Sequence, residues 1–346
     1  MTINRRDFLK IGSLPLVVLF RPKPIQQDYF DIQAAFENAG NSGRVDIPPG
    51  VHEVTRTLIV KSWMTIHGNN AILNPVGDFS GSPVMNFSGA YNTNVHALRI
   101  LSSANASNAV RLSRAASGHG AGNKFYDCFF QGSFSESVVY SNSEGNSYTG
   151  CQFVTENENP ALIYQGSNTL GWWNGCSFRN YGKVEDVPLV KLLGTTSGLS
   201  FRDCYFFVGR NGKAVRVNGS SQGVTIHDCR VEGDGSDCLL IDNEQGSSFL
   251  FQYDVARLNY TAISDYVIRS RHHLLECNFD FIHGCNATKY FHELGGGKIW
   301  RCRIAGNKTD WVKLEGTSQT RMNHLIWVGG VPVMYGPNDN VIHSVG

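Results

Sequence analysis

Three groups of residues in this chain have types and spacings that could do chemistry. Asp203 and Asp228 each stand immediately before a cysteine in similar short phrases 25 residues apart. If those phrases stack on neighbouring layers, the two carboxylates lie about as far apart as the nucleophile and acid of a retaining glycosidase. The segment Glu232-Gly-Asp234-Gly-Ser-Asp237-Cys238 packs three acids into six residues with two glycines, enough to converge on a metal ion or a glycosidic oxygen. Lys191 and Arg216 occupy matching positions 25 residues apart, so stacked layers would bring two cations together for a carboxylated or sulfated sugar. Trp172 and Tyr205 add aromatic surface of the kind that stacks on sugar rings. Each group also has a plainer reading. Asp before a tight corner hydrogen-bonds the turn backbone, an acidic Gly-rich loop is solvated, and outward charges keep a strand soluble.

The elements that must position these residues are announced by a comb of cysteines. The phrase is an apolar residue, two residues, Cys, one residue, and an apolar residue again. It recurs around Cys128, Cys151, Cys176, Cys204, Cys229, Cys277 and Cys302, and Tyr253 fills the gap between Cys229 and Cys277. The steps are 23, 25, 28, 25, 24, 24 and 25 residues, with Ile326 one step further. A fixed period in this range, with a strand-like phrase in each, marks a solenoid. The apolar residues three before and two after each Cys cannot both face inward along one straight strand, because odd and even offsets point to opposite faces. A bend at Cys reconciles them. A further apolar strand precedes most phrases, as in Ala161-Leu-Ile-Tyr164 and Ala214-Val-Arg-Val217. Three short strands per turn of about 24 residues predict an all-β, single-stranded, right-handed parallel β-helix over residues 28–346. Asp31 is placed to cap a short amphipathic helix carrying Ile32, Ala35 and Phe36, closed by Gly40, that shields the first turn.

The stretch from Phe30-Asp-Ile-Gln-Ala-Ala35 through Ile47-Pro-Pro-Gly50 to Ile66-His-Gly68 resembles the opening of the pectate-lyase-like β-helix superfamily. That resemblance implies the fold and a surface suited to an extended polysaccharide. It leaves the reaction open, since lyases, hydrolases, epimerases, phage tailspikes and inactive binders share the architecture. Asp237-Cys238-Leu-Leu-Ile241 is similar to the Asp-Asp-Cys segment of polygalacturonases, but Ser236 stands in place of the second Asp. A hydrolase would draw on Asp203, Asp228, Glu232, Asp234 and Asp237. A lyase would pair a basic residue such as Arg216 with a calcium-bound uronate. Calcium is the one cofactor implied, and only for a lyase.

Composition narrows the partners. A formal charge of +1 over 346 residues, with 17% charged residues, lacks the basic excess of a nucleic-acid binder. Residues 1–27 carry Asn4-Arg5-Arg6-Asp7-Phe8-Leu9-Lys10 followed by an apolar run from Ile11 to Phe20, which resembles a twin-arginine export signal or an N-terminal anchor. The run is too short to span a bilayer as a helix. The nine cysteines include no CxxC pair, so free buried thiols are expected rather than a disulfide framework or a zinc site. These features predict an exported, periplasmic or extracellular protein that binds and cleaves a polysaccharide, monomeric if an enzyme. The alternatives are a trimeric phage tailspike or adhesin recognising host glycans, and a β-helix that binds or scaffolds without catalysis.

Overall fold

The computed structural model describes residues 30–102, 105–114, 120–166, 170–182, 184–219, 221–234 and 238–243. Beyond these it describes the backbone of the strands Phe251–Tyr260, Ile268–Ser270, Cys277–His283, Phe291–Glu293, Lys298–Ala305, Leu314–Glu315, Arg321–Met322, Leu325–Val328 and Ile342–Val345. The export-signal segment therefore lies outside the described residues, as do Asp237, Cys285 and the His272-His273 pair. Asp31–Gly346 forms one compact unit.

All described strand pairings are parallel, and the chain winds as a β-helix with three faces per turn. In the central turns the first face carries Lys124–Tyr126, Asn146–Thr149, Gly171–Asn174 and Leu199–Arg202. The second carries Phe129–Gly132, Gln152–Thr155, Ser177–Asn180 and Tyr205–Arg210. These two faces belong to one 23-stranded sheet bent at a corner, while the third face is an 11-stranded sheet that includes Leu162–Gln165, Pro188–Leu193 and Lys213–Val217. The expected strands before each cysteine phrase are thus present as the third face.

The core follows from this winding. Phe125, Tyr148, Trp173 and Phe201 pair in register and stack face to face, with successive ring centroids 4.9, 5.6 and 4.7 Å apart. A second column runs through Phe153, Phe178 and Phe206 at 4.8 and 5.1 Å. All seven rings are buried, and they supply much of the apolar area that holds the coil together. Where polar residues enter the interior they bond along the axis: Asn123 donates from Nδ2 to Asn146 Oδ1 at 3.2 Å, and the Thr93 amide donates to Asn123 Oδ1 at 3.2 Å. At the start, Asp31 accepts from the Ala34 amide and caps the helix Ile32–Asn38, which buries Ile32 and Phe36. The helix ends at Ala39 in an extended conformation, so Gly40 does not serve as its left-handed cap.

The comb holds its register only through Cys229. The sequence places Tyr253 opposite Cys229, but Val255 pairs with Ile226, and Tyr253 with Val224. Cys277 pairs with Ile299 rather than Cys302, which lies beside Phe279. Leu325, not Ile326, pairs with Cys302. The physical cause is that Phe251–Tyr260 and Cys277–His283 each run as one continuous strand where earlier turns have two. Register shifts between Val255, Leu258 and Asn259 absorb the difference.

Candidate functional site

The corner between the first and second faces is built by one residue in the left-handed region. Asp127, Asp203 and Asp228 have φ of 52°, 52° and 55°, and Gly150 and Gly175 have 64° and 61° at the equivalent position. An L-residue pays about 1–2 kcal/mol there, least for Asp, Asn and Gly, which explains the alternation of Asp and Gly before the cysteines. The bend is thus at the residue before Cys. The register sets Asp203 and Asp228 on adjacent turns, because Arg202 pairs with His227 and Tyr205 with Arg230. The Asp203 amide donates to His227 O at 3.0 Å across that step. Both carboxylates point outward at a corner whose backbone already accounts for the residue type.

On the second face, outward residues of three successive turns form a connected patch. Tyr205 Oη donates to Glu232 Oε2 at 2.5 Å, and the Arg230 guanidinium pairs with Glu232 Oε1. The Arg179 guanidinium lies 5.6 Å from the Tyr205 ring centre, and its Nη1 donates to Tyr181 Oη at 2.9 Å. Arg179 Nε is buried and has no hydrogen-bond partner. Burial first, then the hydrogen bond and charge of Glu232, push the Tyr205 phenol up to about 12, against the opposing charges of Arg179 and Arg230. Tyr205 therefore stays a donor to Glu232 at neutral pH. Both Glu232 oxygens are thus engaged, one by Tyr205 and the other by Arg230. Arg179, Tyr181, Phe207 and Arg230 were not singled out by the sequence reading, although their alternation along the strand identifies them as outward.

Trp172 stands on the first face of the same turns. Its in-register neighbours are Ser147 on one side and Ser200 on the other. It is 44% exposed, and the two serines beside it in register are too small to enclose an indole. Exposed Asn174 and Arg202 share its strand pair, two residues further along each strand. Trp173, next in sequence, is buried, as the phrase requires. The contrast with an earlier part of the same face is sharp. His67, His96 and Tyr126 stack on one another with centroids 5.0 and 4.8 Å apart and planes within 12° and 10°, so each ring hides its neighbour's face.

The third face does bring Lys191 and Arg216 into register, and both are half-buried. Arg216 is, however, already committed. Its Nη2 pairs with Asp186 Oδ1 at 2.7 Å and its Nε with Asp242 Oδ2 at 3.0 Å, where the Asp242 side chain is 3% exposed. Lys213 Nζ pairs with the same Asp186 oxygen at 2.7 Å and Arg269 approaches Asp242 at 3.6 Å. Burial alone would raise the Asp186 carboxyl, but Lys213 and Arg216 hold it below the usual carboxylate range. A guanidinium already paired with two carboxylates has less of its fork left to clamp a further uronate. Asp242 and Arg269 stand in register with Arg216 on the next two turns of the third face, so the period could have found them, whereas Asp186 lies in a connecting segment with no such signal.

Asp234 lies in the strand Arg230–Asp234 opposite Arg210, with its side chain outside the described residues. Among the described residues no three or more His, Cys, Asp and Glu side chains converge to hold a metal ion. Among them, too, no helix is long and apolar enough to cross a membrane.

No known protein family matches the sequence, and no curated protein does. Among solved structures, the chain is similar to Geobacillus virus E2 ORF18 at 11% identity and a TM-score of 0.46, covering 80% of this chain and 57% of that one. It is also similar to the A-module of the mannuronan C-5 epimerase AlgE6 of Azotobacter vinelandii, at 13% identity and a TM-score of 0.42. That likeness covers 91% of this chain and 93% of the module. The chain thus spans little more than half of the phage protein. The β-helix itself stands on the strand pairings described above.

Proposed function

We propose that this β-helix is an exported protein that binds an extended extracellular polysaccharide across the corner between its first and second faces. The observation that carries the reading is Trp172, an indole 44% exposed between the small in-register neighbours Ser147 and Ser200. Near the corner, Arg202 is exposed and the Arg179 guanidinium lies over the Tyr205 ring, so the surface favours a chain bearing carboxylate or sulfate. Aromatic and arginine anchors of this kind carry most of the energy of a typical interface. Binding accounts for these residues without chemistry. Cleavage, as a finer proposal, rests on Asp203 and Asp228, whose one-turn separation suits a retaining hydrolase.

Affinity electrophoresis against a panel of neutral and acidic polysaccharides tests the reading. At least one acidic member should retard the protein, and Trp172→Ala should weaken that retardation by about tenfold or more, as for an aromatic hot spot. Unchanged mobility of the parent chain in every gel, or equal binding by the variant, overturns it. New reducing ends in the same mixtures identify a hydrolase, and unsaturated ends a lyase.

A further inference from the structure

The edge where each turn enters the first face reuses one backbone conformation. Ser42, Trp63, Asn92, Gly122, Gly145 and Gly198 all have φ between 49° and 70°, and each stands two residues before an outward position of its strand. Gly and Asn suit that left-handed region, and Ser is at least small. Trp63 is neither, and a bulky residue there is an outlier that the turn itself does not explain. Its amide donates to Tyr91 O at 2.7 Å, as the turn requires, but the residue is 57% exposed, so core packing does not explain the indole either. From this edge the outward ladder of the first face runs Thr65, Asn94, Lys124, Ser147 and Trp172, in register at every step. Lys124 is exposed, and no carboxylate pairs with it among the described residues. The side chains of Asn92, Asn94 and Ser147 likewise make no hydrogen bond among them. An exposed indole thus stands at each end of a strip of unpartnered polar groups.

We propose that this strip selects the ligand by length: an acidic glycan of about four or more sugars runs along the coil axis from Trp172 to Trp63, with a carboxylate at Lys124. The inference rests on the polysaccharide reading and adds the direction of the chain, its minimum length and the place of its charge. Thr65 and Trp172 are four turns apart, so at ~4.8 Å per turn the two indoles lie about 19 Å from one another along the axis. An extended glycan advances about as far per sugar as the coil does per turn, so successive sugars meet successive turns. Lys124 stands two turns from either end of the ladder, where its ammonium gives a uronate a charge-assisted hydrogen bond. Asn92, Asn94 and Ser147 offer amide and hydroxyl groups to the sugar hydroxyls and give up no internal hydrogen bond in doing so. A strained residue kept at such an edge is accounted for by what it binds.

The test titrates the full chain with size-fractionated oligomers of polygalacturonate and of alginate, from dimer to octamer, by calorimetry. Affinity for at least one series should rise with length and level off at about the tetramer or pentamer. Trp63→Gly, which also relieves the backbone, should be at least as stable as the parent in urea. It should nevertheless bind the octamer about tenfold more weakly and the dimer equally. A residue that only shaped the turn would not split stability from binding in this way. Lys124→Gln should weaken octamer binding and reduce its salt dependence, yet bind the carboxyl-reduced octamer as the parent does. Binding in neither series, equal binding of dimer and octamer by the parent, or octamer binding unchanged by Trp63→Gly overturns the inference. The polysaccharide reading falls only if the whole panel of polymers fails as well. A parent mass in light scattering that Trp63→Gly halves would assign the indole to a second copy of this chain, and overturns the inference too.

Discussion

The inside and the outside of the same central turns are built on opposite principles. Inside, each turn repeats its neighbour: ring on ring from Phe125 to Phe201, cysteine after cysteine from Cys128 to Cys229. Outside, successive turns differ. Ser147, Trp172 and Ser200 follow one another on the first face, and Ser177, Tyr205 and Arg230 on the second. Repetition serves packing, since like shapes stacked at a common spacing leave few voids. A ligand needs the contrary, a large ring whose neighbours are too small to enclose it. Adjacent Trp172 and Trp173 embody the difference within a single dipeptide.

The widest separation should come from truncating those two indoles. Trp173→Ala removes a fully buried ring stacked on Tyr148 and Phe201 and should lower stability by about 3–5 kcal/mol. Trp172→Ala should stay within ~0.5 kcal/mol of the parent, as surface replacements do, while polysaccharide binding falls. Urea denaturation of both variants measures this directly. Comparable destabilisation by the two would mean that Trp172 is a packing residue, and the division between inner and outer faces would fail at the point where it is most distinct.

A smaller effect divides backbone from chemistry at Asp203. Its φ of 52° is the reason for an Asp at the corner, so Asp203→Gly should leave stability within ~0.5 kcal/mol or improve it. Asp203→Val forces a β-branched residue into the left-handed region and should cost at least ~1–2 kcal/mol. If the Gly variant folds as well as the parent but loses polysaccharide cleavage, the carboxylate has a chemical role beyond the turn, and the exterior gains a reactive group. If cleavage by the parent is found and the Gly variant keeps it, Asp203 belongs with the scaffold.

How far these features were legible in the chain follows from the same contrast. The interior was readable because it repeats. The apolar residues flanking Cys128 to Cys229 fixed the winding, the corner and the parity that sends Trp173 in and Trp172 out. Reading failed where the marker faltered, at Tyr253, because a strand that carries register shifts no longer keeps count with its neighbour. The exterior was readable only by parity. Lys191 and Arg216 were placed correctly in register, but nothing in the spacing shows that Asp186, thirty residues before Arg216 in a connecting segment, reaches back to neutralise it. Arg179 beside Tyr205 and Tyr181 was likewise invisible, since which outward side chains touch depends on rotamers that no period encodes.

The least effect belongs to the one outer region that imitates the interior. His67, His96 and Tyr126 stack like core rings, and His96 is flanked by His67 on one side and by Tyr126 on the other, with Asp127 nearby and Asp46 beyond His67. Partial burial first, then the charge of His67, lower the His96 pKa, while Asp127 opposes the shift. A lowered folded value means that the unfolded chain takes up a proton that folded His96 resists. Its contribution to stability is therefore full above the ordinary histidine value of ~6.5 and declines as pH falls through the lower folded value, after which it levels off. His96→Asn should flatten that portion of the pH profile, read as the urea midpoint across the acidic range. Trp172→Ala, which leaves no titrating group changed, should run parallel to the parent. A parent slope that survives His96→Asn intact would place the proton elsewhere, and the stacked trio would then differ from the open indole in geometry alone.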